Sequence, residues 1–343
     1  MPEQDKILEV ENLHVEYSSG DDVVRAVNGV SFSLEWGKTL GIVGETGAGK
    51  TTIAKAILQI LPSIQARITE GRILFNGEDL LKADEKKMMS VRGAQISMIF
   101  QDPMTSLNPL MRVGRQISEG IQLHQNVSRK EADKRAAQLL ERVGIPASRF
   151  REYPLQFSGG MKQRVVIAIA LACNPELLIA DEPTSALDVT IQAQVMNLIR
   201  ELQAEYQASV VMITHDFGIV AESCDTVAVV YAGQIVEYGT KEQLFKNPSH
   251  PYTLGLFGAL PGIDTGRQRL HPIKGAPVDP TRLPAGCPFA ARCEYASDEC
   301  RAGGITAVDI GDGHLCRCLY AGKLGRKEET DTADGKEERK GDA

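Results

Sequence analysis

The sequence predicts an α/β protein in which a parallel sheet is flanked by helices, with a β-rich stretch before it and a small appendage and tail after it. Three observations carry this reading. An apolar strand, a glycine-rich loop and a helix follow one another between Thr39 and Leu58. Helix and strand alternate from Arg164 to Ile213, the pattern of a parallel sheet with crossover helices. Beyond Gly239 the composition changes, and half of the 16 prolines fall between Pro248 and Pro288, too many for helix or sheet interior.

In chain order, Ile7 to Tyr17 alternates apolar and polar residues, as a half-buried strand should. Two short strands are expected at Val24–Val27 and Val30–Leu34, then one at Thr39–Val43 and a helix from Thr52 to Leu58. Further strand signals lie at Gly71–Phe75, closed by Asn76-Gly77, and at Ile96–Phe100. Between Pro103 and Leu155 the pattern turns helical, with helices at Arg115–Leu123 and Ser128–Val143. Ser128 with Glu131 three residues on reads as a capping box, and Gly144 ends that helix. A helix at 161–172, a strand at Leu177–Ala180, a helix at 190–206 and a strand at Ser209–Ile213 complete the alternation. The proline-rich stretch reads as an appendage outside the core. Lys323 to Ala343 carries 13 charged residues and one large aliphatic, Leu324, so it is expected to be a disordered tail.

The totals narrow the function. A net charge of −7 and a pI near 5.5 argue against a broad nucleic-acid-binding face. No stretch approaches ~18 consecutive apolar residues, and the start, Met1 to Lys6, has no basic-then-apolar pattern. A cytoplasmic location is therefore expected, in which seven cysteines suggest metal ligands or buried thiols before disulfides.

Gly44-Glu45-Thr46-Gly47-Ala48-Gly49-Lys50-Thr51, followed by Thr52, has the glycines, lysine and hydroxyl of a phosphate-binding loop between strand and helix. Backbone N–H groups and the helix N-terminus face an anion, Lys50 reaches the terminal phosphates, and Thr51 offers its hydroxyl to Mg²⁺. The loop implies a nucleoside triphosphate. Asp181 and Glu182 end the strand that begins at Leu177, which puts two carboxylates at a sheet edge. Asp181 is placed to hold the Mg²⁺ that meets Thr51, and Glu182 to polarise an attacking water. Taken alone, such an acidic pair often caps the next helix. Ser158-Gly159-Gly160 heads the helix at 161–172 and forms a second anion-binding N-terminus. One triphosphate reaches both loops only if the chain folds far back or a second copy supplies one of them.

On these residues the chain resembles the ATP-binding-cassette (ABC) ATPases from about Ile7 to Gly239. The phosphate loop, Gln101, Ser158-Gly159-Gly160-Met161-Lys162-Gln163, the run Asp181 to Asp188, and Thr214-His215-Asp216 all stand in family order. The resemblance implies a P-loop NTPase fold with a RecA-like core, an antiparallel β subdomain and a helical subdomain near 103–165. It implies two such domains face to face, with each ATP between one subunit's Lys50 loop and the other's Ser158–Gly160. In that arrangement Tyr17 stacks on adenine, Gln101 senses the γ-phosphate through Mg²⁺ and water, His215 contacts it from the other side, and Asp188 lies at the interface. Tyr17 also reads as an ordinary strand aromatic, and a lone histidine after a strand is more often structural.

Gln101-Asp102-Pro103-Met104-Thr105-Ser106-Leu107-Asn108-Pro109 and Asn247-Pro248-Ser249-His250-Pro251-Tyr252-Thr253 resemble the dipeptide, oligopeptide and nickel importers. Cys287, Cys293, Cys300 and Cys318 follow at gaps of 5, 6 and 17 residues, without the closely spaced cysteine pairs of common zinc sites. With Gly286-Cys287-Pro288-Phe289-Ala290-Ala291-Arg292-Cys293 they resemble that group's C-terminal extension, which implies a 4Fe–4S cluster. Zinc and free thiols remain alternatives, and Cys316 an alternative fourth ligand. Cys173 and Cys224 read as core residues.

The resulting expectation is an ABC ATPase domain at 1–240, an extension at 241–320 and a tail at 321–343. It is an ATP-hydrolysing importer subunit at the cytoplasmic face of the membrane, serving peptides or, alternatively, nickel or sugar. Implied partners are two transmembrane permease subunits, a second ABC ATPase and an extracytoplasmic solute-binding protein, with no nucleic acid. Rival readings are a soluble cassette ATPase acting on ribosomes or DNA and a small-molecule kinase. The first commonly carries two cassettes or long coiled-coil insertions, and the second has no use for Ser158-Gly159-Gly160.

Overall fold

The computed structural model describes residues 6–20, 22–184, 188–259 and 272–324. Ser185 to Leu187, within the acidic run, and the expected tail from 325 onward lie outside the described residues. Residues 321–323 form a turn, and the chain bends at 324.

Two sheets organise the chain. Strands β1 (Lys6–Ser19), β2 (Asp22–Glu35), β4 (Ala66–Phe75) and β5 (Glu78–Asp79) form an antiparallel sheet in the order β2-β1-β4-β5. The larger sheet takes in β3 (Thr39–Val43), β6 (Ile96–Ile99), β7 (Leu177–Asp181), β8 (Ser209–Ile213), β9 (Thr226–Tyr231) and β10 (Gln234–Thr240), with β11 (Val308–Asp309) and β12 (Leu315–Cys316). Its order is β11-β12-β10-β9-β3-β8-β7-β6, and the five strands from β9 to β6 run parallel. Every residue of β3, β7 and β8 is buried, as expected where both faces of a parallel sheet are covered. Alternation decides which core each side chain joins. Leu178, Ala180, Val210 and Met212 face one cluster, while Leu177, Ile179, Val211 and Ile213 face the other.

The helices are α1 (Lys50–Ile57), α2 (Glu85–Val91), α3 (Pro103–Ser106), α4 (Val113–His124), α5 (Arg129–Arg142), α6 (Gly159–Leu171), α7 (Val189–Tyr206), α8 (Phe217–Ser223), α9 (Lys241–Lys246), α10 (Pro251–Gly258) and α11 (Asp298–Ala302). Ser128 caps α5 by accepting from the Glu131 N–H. The reciprocal half of the expected capping box is not made, because the Glu131 carboxylate pairs with Arg135 one turn on, at 3.0 Å. In α5, Ala132, Ala136, Leu139 and Leu140 turn one face onto α4 and α6.

Four expectations are corrected. The strands expected at 24–27 and 30–34 are one strand, β2, which continues through Asn28-Gly29 because register shifts against β1 near Leu13 absorb the irregularity. The strand expected from Gly71 begins at Ala66. Cys173 is only half-buried, its thiol 3.5 Å from the Gly120 carbonyl, whereas Cys224 is in the core as expected. The proline-rich stretch is not outside the core. Tyr252, Phe257 and Phe289 belong to the main cluster, and β12 pairs with β10 at the edge of the large sheet. Pro251 avoids conflict with regular structure by position: it opens α10, where its missing N–H costs nothing.

Candidate functional site

The phosphate loop joins β3 to α1 and closes tightly on its surroundings. At Gly44, with φ +152°, a Cβ would lie 2.2 Å from the Val230 carbonyl oxygen, and at Gly49, with φ +104°, 2.3 Å from that of Ala26. Only glycine fits such approaches. Lys50, 6% exposed, folds back over the loop and donates from Nζ to the carbonyls of Gly44 and Glu45 at 2.7 and 3.0 Å. Burial pushes its ammonium below the ordinary pKa, and the carboxylates of Glu182, Asp181 and Glu45 oppose that shift. Thr51 donates from Oγ1 to Asp181 Oδ1 at 3.2 Å, which brings together two of the three groups expected around Mg²⁺. Burial raises the Asp181 carboxyl above the usual range, against the Thr51 hydrogen bond, and the Glu182 charge adds to the rise. The Tyr17 hydroxyl lies 3.3 Å from Thr52 Oγ1, so that ring stands beside the start of α1.

Gln101, Glu182 and His215 meet at the ends of three strands. Gln101 Nε2 donates to Glu182 Oε2 at 2.8 Å, and His215 Nδ1 lies 3.4 Å from Glu182 Oε1. Glu182 takes φ +46°, a left-handed conformation rare for a side-chain-bearing residue, and its N–H is tied to the Ile213 carbonyl at 2.8 Å. Backbone strain of this kind persists where the surroundings over-determine it, as at a reaction centre.

Ser158, Gly159, Gly160 and Asp188 gather elsewhere. They line an open pocket of about 430 Å³ with Arg164 and Ile191, and no phosphate-loop residue borders it. Ser158 caps α6 by accepting from the Met161 N–H, and Asp188 caps α7 through the Ile191 N–H.

The cysteines divide. Cys287, Cys293, Cys300 and Cys318 line one small enclosed space together with Phe289 and Tyr320. Burial raises the thiol pKa of Cys287, Cys293 and Cys318, the last to about 11, and mutual repulsion among the four sulfurs adds to it. Cys316, fully buried in β12 beside Glu237, does not border that space. Among the described residues no group of three or more His, Cys, Asp or Glu is disposed to hold a metal ion. The space the four thiols line is about 10 Å³, room for about one water.

Two residues at this site escaped the sequence reading. The Glu45 N–H donates to the Tyr252 hydroxyl at 2.8 Å, and Arg292 forks onto the Glu45 carboxylate at 2.7 and 3.0 Å. Both lie in quoted motifs, yet nothing local in those motifs points at a loop more than 200 residues away.

Comparison with known proteins follows the same division. The family described as ABC transporter matches residues 27–185, and that described as oligopeptide/dipeptide transporter, C-terminal region, matches 236–300. A dipeptide transport ATP-binding protein of Bacillus subtilis is 52% identical over 291 residues, 84% of this chain and 87% of its own length. An oligopeptide transport ATP-binding protein of Escherichia coli is 49% identical over 298 residues, covering 86% and 88%. Among solved structures, a dimeric ATP-binding cassette bound to ADP and phosphate superposes with a TM-score of 0.62 at 26% identity, over 68% of this chain and 98% of its own.

Proposed function

The chain belongs to the ABC transporter family, in the group of oligopeptide and dipeptide transport ATP-binding proteins, and from that premise we propose how its residues drive import. It is the ATP-binding and ATP-hydrolysing subunit of a peptide importer. Thr51, Asp181 and Gln101 are the residues to hold Mg²⁺, which supplies charge neutralisation at the phosphates. Gly44 to Thr52 cradle the triphosphate, Tyr17 flanks the adenine, and Glu182 accepts the proton of the attacking water. His215 and Gln101 hold the Glu182 carboxylate from two sides and report the state of the γ-phosphate. Ser158, Gly159, Gly160 and Asp188 serve the nucleotide of a second ATPase subunit, so hydrolysis follows closure of the pair.

The observation that carries this reading is the meeting of Gln101, Glu182 and His215 beside the Thr51–Asp181 pair. In the purified transport complex, Glu182→Gln is expected to lower ATP turnover by about 10³-fold while nucleotide still binds. Near wild-type turnover would reject Glu182 as the base.

Among the described residues no helix is long and apolar enough to cross a membrane. Two permease subunits therefore form the path, the helical region from Pro103 to about 165 docks on them at the cytoplasmic face, and an external binding protein delivers the cargo. The names of the relatives favour di- or oligopeptides over nickel or sugar.

The cysteine spacing, and the resemblance of the segment around Cys287 and Cys293 to the C-terminal region of oligopeptide/dipeptide transporters, support a 4Fe–4S cluster held by Cys287, Cys293, Cys300 and Cys318 over a zinc ion or free thiols. Such a cluster would supply a cross-link for a segment with little core of its own. Iron and sulfide assays on anaerobically purified protein should give about four of each per chain, with loss in Cys318→Ser and retention in Cys316→Ser. Stoichiometric zinc, or loss in Cys316→Ser, would overturn the assignment.

A further inference from the structure

A glutamate is a poor neighbour for a triphosphate. Glu45 is the second residue of a loop whose N–H groups face an anion, and an unpaired carboxylate there would repel the ligand. In this chain the carboxylate is held by Arg292, whose side chain is 5% exposed against 29% for Glu45, through two parallel N–H···O contacts at 2.7 and 3.0 Å. Burial on the arginine side makes the pair far less subject to salt screening than a surface pair.

Arg292 is fixed in turn. Its Nε donates to the Lys274 carbonyl at 3.1 Å, and its guanidinium lies 5.8 Å from the Tyr231 ring and 5.9 Å from the Phe289 ring. Tyr231, Tyr252 and Phe289 pack on one another with centroids 4.7 to 5.3 Å apart. The same cluster presents the Tyr252 hydroxyl to the Glu45 N–H. The C-terminal extension thus grips one residue of the phosphate loop at both its backbone and its side chain. Arg292 also precedes Cys293, so the cysteine-lined space stands one residue from that grip.

We propose that Arg292 and Tyr252 are positioning residues of the nucleotide site, neutralising the Glu45 carboxylate and fixing the Gly44–Glu45 turn so that the loop accepts a triphosphate. The inference rests on the reading of Gly44 to Thr51 as the ATP site. It makes the extension part of the nucleotide machinery rather than an accessory to it.

The test is the dissociation constant of a fluorescent ATP analogue with Mg²⁺, measured on the full chain, alongside the melting temperature without nucleotide. Arg292→Gln is expected to weaken binding about tenfold by freeing the Glu45 charge. Adding Glu45→Gln to Arg292→Gln should restore affinity to within about threefold, because the repelling charge is gone. Arg292→Lys, which keeps the charge and loses the fork, should fall between wild type and Arg292→Gln, and it carries the test if Arg292→Gln does not fold. Tyr252→Phe should weaken binding about threefold through the lost hydrogen bond. Wild-type affinity in Arg292→Gln, or in Arg292→Lys should that variant alone fold, overturns the proposal. So does a double variant as weak as the single one, since a mere packing defect is not rescued by removing a charge. No binding by the wild-type chain would instead reject the nucleotide site itself.

Discussion

Two helix N-termini in this chain carry the proposed nucleotide contacts, and they are built differently. The helix α1 starts at Gly49 with no side-chain cap, its loop folded under Lys50 and ringed by Asp181 and Glu182. The helix α6 starts at Ser158, whose hydroxyl already accepts the Met161 N–H, and its pocket holds no lysine. The first end gathers Lys50, Thr51, Asp181 and Glu182 around the loop. The second offers backbone donors and the Ser158 hydroxyl, with Arg164 and Asp188 also lining a pocket that no phosphate-loop residue borders. Under the proposed function, the two ends act on one triphosphate when a second subunit brings the missing half, and hydrolysis then reports assembly.

The sharpest way to break that comparison is to spoil the second end without unfolding it. Aspartate caps a helix as well as serine does, so Ser158→Asp should leave the melting temperature within about 1 °C of wild type. It sets a carboxylate where the partner's triphosphate would sit. Turnover of the assembled complex should fall by about 10²-fold, while the isolated chain binds ATP with unchanged affinity. Weakened binding by the isolated chain would mean that one chain's two ends share a nucleotide, and the division of labour would fail.

What could be read from the sequence was local chemistry. Gly44 to Thr51, the Asp181-Glu182 pair and Ser158 with its helix are each specified by neighbours within about ten residues, because loop conformation and caps are set by adjacent side chains. Family order added Gln101 and His215, which the structure brings to Glu182 from strands far apart in sequence. The missed features depend on pairing over long separations. Strands β9 and β10 turn tightly through Ala232 and Gly233, both at positive φ, yet they carry no motif that draws attention. The buried carboxylate of Glu237 accepts from the backbone N–H groups of Ser249 and His250 and lies 2.8 Å from His314 Nε2. That network binds the extension to β10, and proline content alone suggested the opposite, a segment lying outside the core.

The smallest expected effect sharpens the contrast from the side of stability. The phosphate-loop end assembles groups that disfavour one another before ligand arrives: Asp181 is 1% exposed and burial raises its carboxyl pKa. A carboxyl raised on folding is penalised when charged, so folding binds protons as pH falls between the raised value and the ordinary one, and the penalty is present above that window. Asp181→Asn removes the charge and can still accept the Thr51 hydroxyl, while Glu182 and Glu45 continue to face Lys50. Without nucleotide the variant should be more stable than wild type by about 1 kcal/mol at neutral pH, a rise of roughly 2 °C. The gain should shrink on acidification through the carboxyl's raised pKa, as the wild-type group takes up its proton. With saturating Mg²⁺ and ATP the order should reverse, because only the wild-type carboxylate stabilises the folded state through the ligand. Thermal melts of the two proteins from pH 8 to pH 4, with and without nucleotide, read all three effects. An Asn variant no more stable at neutral pH would mean that the loop end, like the capped end of α6, carries no charge strain waiting for ligand.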